Sequence, residues 1–95
     1  MSKKTQEKEI CYGRELFKAM GLYLPMGIQC GERTLKNGLI EIKVMRPHGK
    51  KFVGISPLIQ IGADSPIKAA DLKELCIEAG KKIDAMISKI EQDEM

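Results

Sequence analysis

Basic side chains crowd the middle of this sequence. Arg33, Lys36, Lys43, Arg46, Lys50 and Lys51 stand close together along the chain, with His48 among them. Guanidinium and ammonium groups at that density can neutralise successive phosphates of a nucleic acid and release its counterions. His48 or Phe52 would add a flat surface on which a base can stack. Other chemistry-bearing residues are sparse. Cys11, Cys30 and Cys76 form neither a C-x-x-C pair nor a disulfide framework. Cys30 and Cys76 stand in apolar periodic segments, where a free thiol serves as a small core residue. Cys11, beside Tyr12 in a polar stretch, reads as a surface thiol. With a single histidine in the chain, a metal centre is not expected.

No Ser-His-Asp set and no pair of carboxylates in apolar surroundings can be assembled. Gly27-x-x-x-Gly31 lacks the Gly-Lys-Ser/Thr ending of a phosphate-binding loop. The expectation is a protein that is not an enzyme and that uses no cofactor.

Charge is unevenly distributed. Residues 1–20 carry a net +2, residues 21–56 a net +4 and residues 57–95 a net −3, which together make the formal +3. A basic middle against an acidic end suits a protein with one surface turned to a polyanion. A solvated, lysine-rich hairpin with no ligand would show the same numbers.

The elements that must position these groups follow from periodicity. A helix is predicted over residues 6–20, with Ile10, Arg14, Leu16, Phe17 and Met20 on one face and Gly21 as its stop. A strand is predicted from Leu24 to Cys30, followed by a turn region between Gly31 and Asn37-Gly38. Leu39 to Met45 alternates cleanly, with Ile40, Ile42 and Val44 on one side and Glu41 and Lys43 on the other. Pro47-His48-Gly49-Lys50 reads as a turn and Lys51 to Ile55 as the returning strand, with Lys51 outward. The hairpin tip would then carry Arg46, Lys50 and Lys51. Leu58 to Ile61 could extend the sheet past a break at Pro57 or form a connector. Asp64 or Ser65 can cap a last helix with Pro66 at its first position. Its apolar stripe is Leu72, Leu75, Cys76, Ala79, Ile83, Met86, Ile87 and Ile90, with Gly80 as a weak point.

These elements make an α+β fold: an N-terminal helix, a small three-stranded, mostly antiparallel sheet with a basic hairpin, and a long C-terminal amphipathic helix. At 95 residues, 43% of them hydrophobic, the chain holds one domain over residues 1–95. Residues 1–5 are expected to be disordered and residues 91–95 to fray. About 25 residues of helix would measure ~37 Å, more than so small a sheet should cover. The overhang suggests a homodimer held by Ile83, Met86, Ile87 and Ile90. No run approaches the ~20 apolar residues that cross a bilayer. The charged start MSKKTQEKEI lacks the apolar stretch of a signal peptide. A cytoplasmic protein without membrane contact is expected.

The run Leu24-Pro25-Met26-Gly27-Ile28-Gln29-Cys30-Gly31-Glu32-Arg33-Thr34-Leu35-Lys36-Asn37-Gly38-Leu39-Ile40-Glu41-Ile42-Lys43 resembles part of the anticodon-binding domain of class II aminoacyl-tRNA synthetases, the prolyl type above all. Arg46, Gly49, Val53 and the helix after Asp64 follow in the family's order, and the resemblance covers roughly residues 15–56. It implies an RNA ligand. The family's opening strand-helix-strand unit and its catalytic module have no counterpart here, so no anticodon-reading residue is carried across.

Two functions follow as expectations. In the first, Arg33, Lys36, Lys43, Arg46, His48, Lys50 and Lys51 contact RNA or single-stranded DNA, mainly through its phosphates. In the second, the long helix and an open sheet edge make a protein-interaction module.

Overall fold

The alternating run from Leu39 is the centre of the fold. The computed structural model describes residues 9–94. It carries this run as strand β3 (Leu39–His48), between β2 (Gln29–Thr34) and β4 (Lys51–Gly62), all antiparallel. Ile40, Ile42 and Val44 are buried on one side, as period-two alternation requires. Packed against that side are α1 (Leu16–Tyr23) and the 25-residue α2 (Ala69–Asp93). Their Leu16, Met20, Leu72, Cys76, Ala79 and Ile83 complete the core. The fold is α+β in the element classes expected, with an additional pair of short strands. That pair is β1 (Ile10–Tyr12) against β5 (Pro66–Lys68), antiparallel.

The N-terminal helix predicted over residues 6–20 is displaced. Residues 6–8 lie outside the described part. Ile10–Tyr12 forms a strand because Pro66–Lys68 offers it a backbone partner. The same pairing buries Cys11, which is 5% exposed and not a surface thiol. A single 3₁₀ turn, Gly13–Glu15, then leads into α1. Gly13 sits where no side chain fits: a Cβ there would stand 2.0 Å from the Gly62 carbonyl oxygen and 2.9 Å from its carbon. Both offending atoms are backbone and cannot swing away. Gly13→Ala should therefore cost about 3 kcal/mol, the upper range for overpacking, read as a lowered urea midpoint. Helix α1 does not stop at Gly21. It runs to Tyr23, and Leu24 is extended at ψ 140°, as a residue before proline prefers.

The strand expected from Leu24 starts five residues late. Pro25 to Ile28 closes a turn, Ile28 donating to the Pro25 carbonyl at 3.2 Å with Gly27 at φ +91°. That positive φ at the third turn position suits glycine. Gly31 consequently lies inside β2, not in a turn. The Asn37-Gly38 reversal is where it was expected, closed by Gly38 donating to the Leu35 carbonyl at 2.9 Å.

The hairpin is longer than expected at both ends. Pro47 and His48 belong to β3, and the reversal narrows to Gly49-Lys50, with Gly49 at φ +65°. Pro57 does not break β4, because β4 is an edge strand whose proline need not donate into a ladder. The register shifts there. Ile42 faces Ile59 and Val44 faces Ile55, so Ser56, Pro57 and Leu58 bulge opposite Lys43. Leu58 to Ile61 thus extends the sheet.

The last helix starts at Ala69. Pro66 is consumed by β5, and Lys68 is the N-cap residue, without a side-chain cap. Asp64 instead pairs with Arg14, and Ser65 accepts from the Gly13 N–H at 3.0 Å. Gly80 is a seat for another segment: a Cβ there would stand 2.8 Å from Pro25 Cγ. The helix continues through Asp93, so residues 91–93 are helical; Met95 and residues 1–5 lie outside the described part. The β3–β4 ladder, ten residues of β3 with a bulge in β4, is ~33 Å long, a length close to that of the helix. The radius of gyration of 15.0 Å exceeds the ~12 Å of a sphere-like chain of this length, as a long two-stranded arm would produce.

Candidate nucleic-acid interface

Register decides which basic groups meet. Positions paired across strands share a face, so Arg33, Glu41 and Gln60 form one row on the side away from the helices. Gly31 with Lys43, Gln29 with Met45 and Gly54, and Pro47 with Phe52 continue that outward face toward the tip. Arg46 with Val53 and His48 with Lys51 lie on the helix side.

The seven residues named from sequence are therefore not one surface. Lys50 and Lys51 are exposed on the arm that runs past the end of β2, whereas Lys43, also exposed, pairs with Gly31 inside the β2–β3 ladder and lays its side chain along that glycine. Lys50 and Lys51 form no ion pair with any described residue. Lys51 stands on the same side as Val53 and Ile55, contrary to the outward placement expected, yet it is exposed at the tip. Lys36 sits in the β2–β3 reversal, at the other end of the ten-residue β3, ~30 Å from the tip. It cannot share a short site with Lys50. Arg46 is only 29% exposed in its side chain, and it is engaged. Its guanidinium donates to Asp84 Oδ1 at 2.5 Å and to the Met26 carbonyl at 3.1 Å. Arg46 thus ties the arm to α2 and to the turn after α1, and is not a free phosphate contact. His48 is half-buried on the helix side.

Arg33 is divided between two roles. Its Nε donates to Glu41 Oε1 at 2.7 Å while the side chain stays 71% exposed, leaving the terminal amino groups reachable. Gln60 Nε2 donates to the second Glu41 oxygen at 2.9 Å, so the carboxylate is held across all three strands at 8% exposure. The bonds from Gln60 and then Arg33 lower the Glu41 pKa from its ordinary 4.5, against the opposing effect of burial. No sequence pattern announced this row, since its members are far apart along the chain. Gly31, Glu32, Arg33, Glu41, Lys43 and Ser56 surround a depression of about 210 Å³ beside it.

A carboxyl held below its unfolded value gives stability that is complete above 4.5 and is lost as pH falls through the folded value. The stability gap between the parent and Glu41→Gln should accordingly shrink on acidification from about pH 7 to about pH 3, measured by urea midpoints. A constant gap over that range would show that the charge of Glu41 contributes nothing.

The helix stripe named for dimerisation is mostly internal. Ile83 is 0% exposed in the chain's own core, and Met86 and Ile87 pack half-buried against it. Ile83 faces the sheet because it continues the Leu72, Cys76 and Ala79 spacing, and so it is not available to a second copy. Ile90 is half-buried. The thiols are also inward. Burial and then Glu32 raise the Cys30 pKa, while burial and then Cys30 push Cys76 up to about 11. Both therefore stay protonated and weakly nucleophilic at neutral pH.

No protein-family model, no curated protein and no solved structure matches the chain. Among the described residues, no helix is long and apolar enough to cross a membrane.

Proposed function

We propose that the protein binds RNA or single-stranded DNA through the β3–β4 arm, with Lys43, Lys50 and Lys51 contacting phosphates and Arg33 lying to the side. One observation carries this reading: from Ile42 to Ala63 the chain has Lys43, Arg46, Lys50 and Lys51 and no acidic residue. The structure gives that stretch an extended two-stranded form. Asp84 pairs with Arg46, and the charge of Glu41 acts on Lys43, so the tip cations Lys50 and Lys51 have no ion pair among the described residues. A protruding ribbon with the ammonium groups of Lys50 and Lys51 at its tip presents a positive potential that a polyanion can reach. The resemblance of residues 15–56 to an anticodon-binding domain points to the same class of ligand.

The test is fluorescence anisotropy with labelled single-stranded RNA and DNA of about 15 nucleotides. Retardation of tumbling at about 50 mM salt that weakens steeply by about 200 mM is the expected result. No change in anisotropy with either probe at the lower salt would sink the reading.

A further inference from the structure

Phe52 is 60% exposed, one residue from Lys51 and two from Lys50. A phenylalanine left in water on a strand gains nothing for the fold, while β-ladder neighbours decide what it can touch. Its direct partner across the arm is Pro47, and both belong to the outward face. The next position on that face of β4 is Gly54, paired with Met45. Glycine is required there by the strand itself, since a Cβ would stand 2.2 Å from the Val44 carbonyl oxygen and 2.8 Å from Met45 Cα. The consequence is that no side chain of β4 occupies the space beside Phe52 in the direction of Lys43. Lys43 follows Met45 along β3 on the same face, ~13 Å from Pro47. One face of the arm thus offers an aromatic ring beside Pro47, with the Met45 side chain as the next group on that face opposite Gly54, Lys43 further along over Gly31, and Lys50 and Lys51 at the tip next to the ring.

We propose that Phe52 is a stacking platform for an unpaired base, so that the arm favours single strands over duplex. This deepens the reading of the arm as a phosphate-binding element and rests on it. A duplex keeps its bases stacked on one another and presents only phosphates to such a ribbon, whereas a single strand can turn a base onto the ring while its phosphates lie against Lys43 on one side and Lys50 and Lys51 on the other. His48, the other ring named from sequence, is excluded from this role by its half-buried position on the helix side.

Three fluorescent probes of about 15 nucleotides separate base from phosphate: oligothymidylate, an abasic strand with the same number of phosphates, and a duplex. The wild-type protein should bind oligothymidylate about tenfold more tightly than the abasic strand, and more tightly than the duplex. Phe52→Leu should erase the first difference without changing abasic affinity, and Phe52→Tyr should retain it. Equal, salt-sensitive affinity of the wild type for all three probes overturns the stacking proposal and leaves phosphate binding standing. Failure to bind any of them at low salt overturns both. Binding to anionic vesicles that Phe52→Leu abolishes, without oligonucleotide binding, would assign the tip to a lipid surface and likewise overturn the proposal.

Discussion

Replacement of Lys43, Lys50 and Lys51 together by serine is expected to weaken binding of single-stranded nucleic acid by a few hundredfold at about 50 mM salt. The estimate follows from counterion release: each phosphate contact on a single strand scales affinity as salt to about the −0.7 power, roughly eightfold at that concentration. The slope of log affinity against log salt should also drop in magnitude by about 2. These side chains are exposed, so the variant should keep its helical circular dichroism and its urea midpoint. Lys36→Ser serves as the contrast. Placed in the reversal at the far end of β3, it should change affinity by no more than about twofold, because screening over ~30 Å leaves little interaction. Arg46→Ser should act differently again. It removes the tie to Asp84 and Met26, so its first effect is on the stability of the arm. A triple variant with unaltered affinity and slope would mean that the arm lysines contact no phosphate.

Ile83→Asp has the second large effect, and it falls on folding. Ile83 is fully buried between α2 and the sheet. The substitution removes an aliphatic side chain, leaves a void and places a carboxylate in apolar surroundings without a partner. The sum exceeds about 4 kcal/mol, a large fraction of the 5–15 kcal/mol typical of a domain. The variant should be unfolded, or close to it, at room temperature by circular dichroism. Ile77→Lys is the control: Ile77 is on the same helix but 43% exposed, and its replacement should stay within about 0.5 kcal/mol. A folded Ile83→Asp protein with altered sedimentation would instead make this stripe an assembly surface.

What could be read before the structure was the set of strongly periodic segments. Ile40, Ile42 and Val44 face the core as their alternation dictates, and the stripe from Leu72 to Ile83 turns inward as a helical spacing must. Asn37-Gly38 reverses the chain because its local chemistry suffices. Several misplacements arise where a distant partner or the sheet context outweighed local preference, whereas the late start of β2 comes from the local Pro25–Ile28 turn. Ile10–Tyr12 looks helical until Pro66–Lys68 offers it a ladder. Pro66 looks like a helix start until that ladder claims it. Pro57 looks like a strand end until β4 proves to be an edge that accommodates a bulge.

The site was legible as a composition and not as a surface. The absence of acids between Ile42 and Ala63 is visible in the sequence. The division of its cations is not, because it depends on strand parity and on what α2 brings opposite. Arg46 was removed from the set by Asp84, 38 residues away, and Lys36 by the length of β3. The Arg33–Glu41–Gln60 row joins three strands, and only the register assembles it. Phe52 was named as one of two candidate rings, and its face relative to His48 decided between them.

Amide chemical-shift mapping of the isotope-labelled protein, titrated with unlabelled oligothymidylate at low salt, tests the central claim most directly. Perturbations should be concentrated from Lys43 to Gly54, growing with ligand and reversed by added salt, with α1 and the N-terminal half of α2 unchanged. Perturbations confined to the exposed apolar residues Phe17, Leu22 and Met26, or none at saturating ligand, would contradict it.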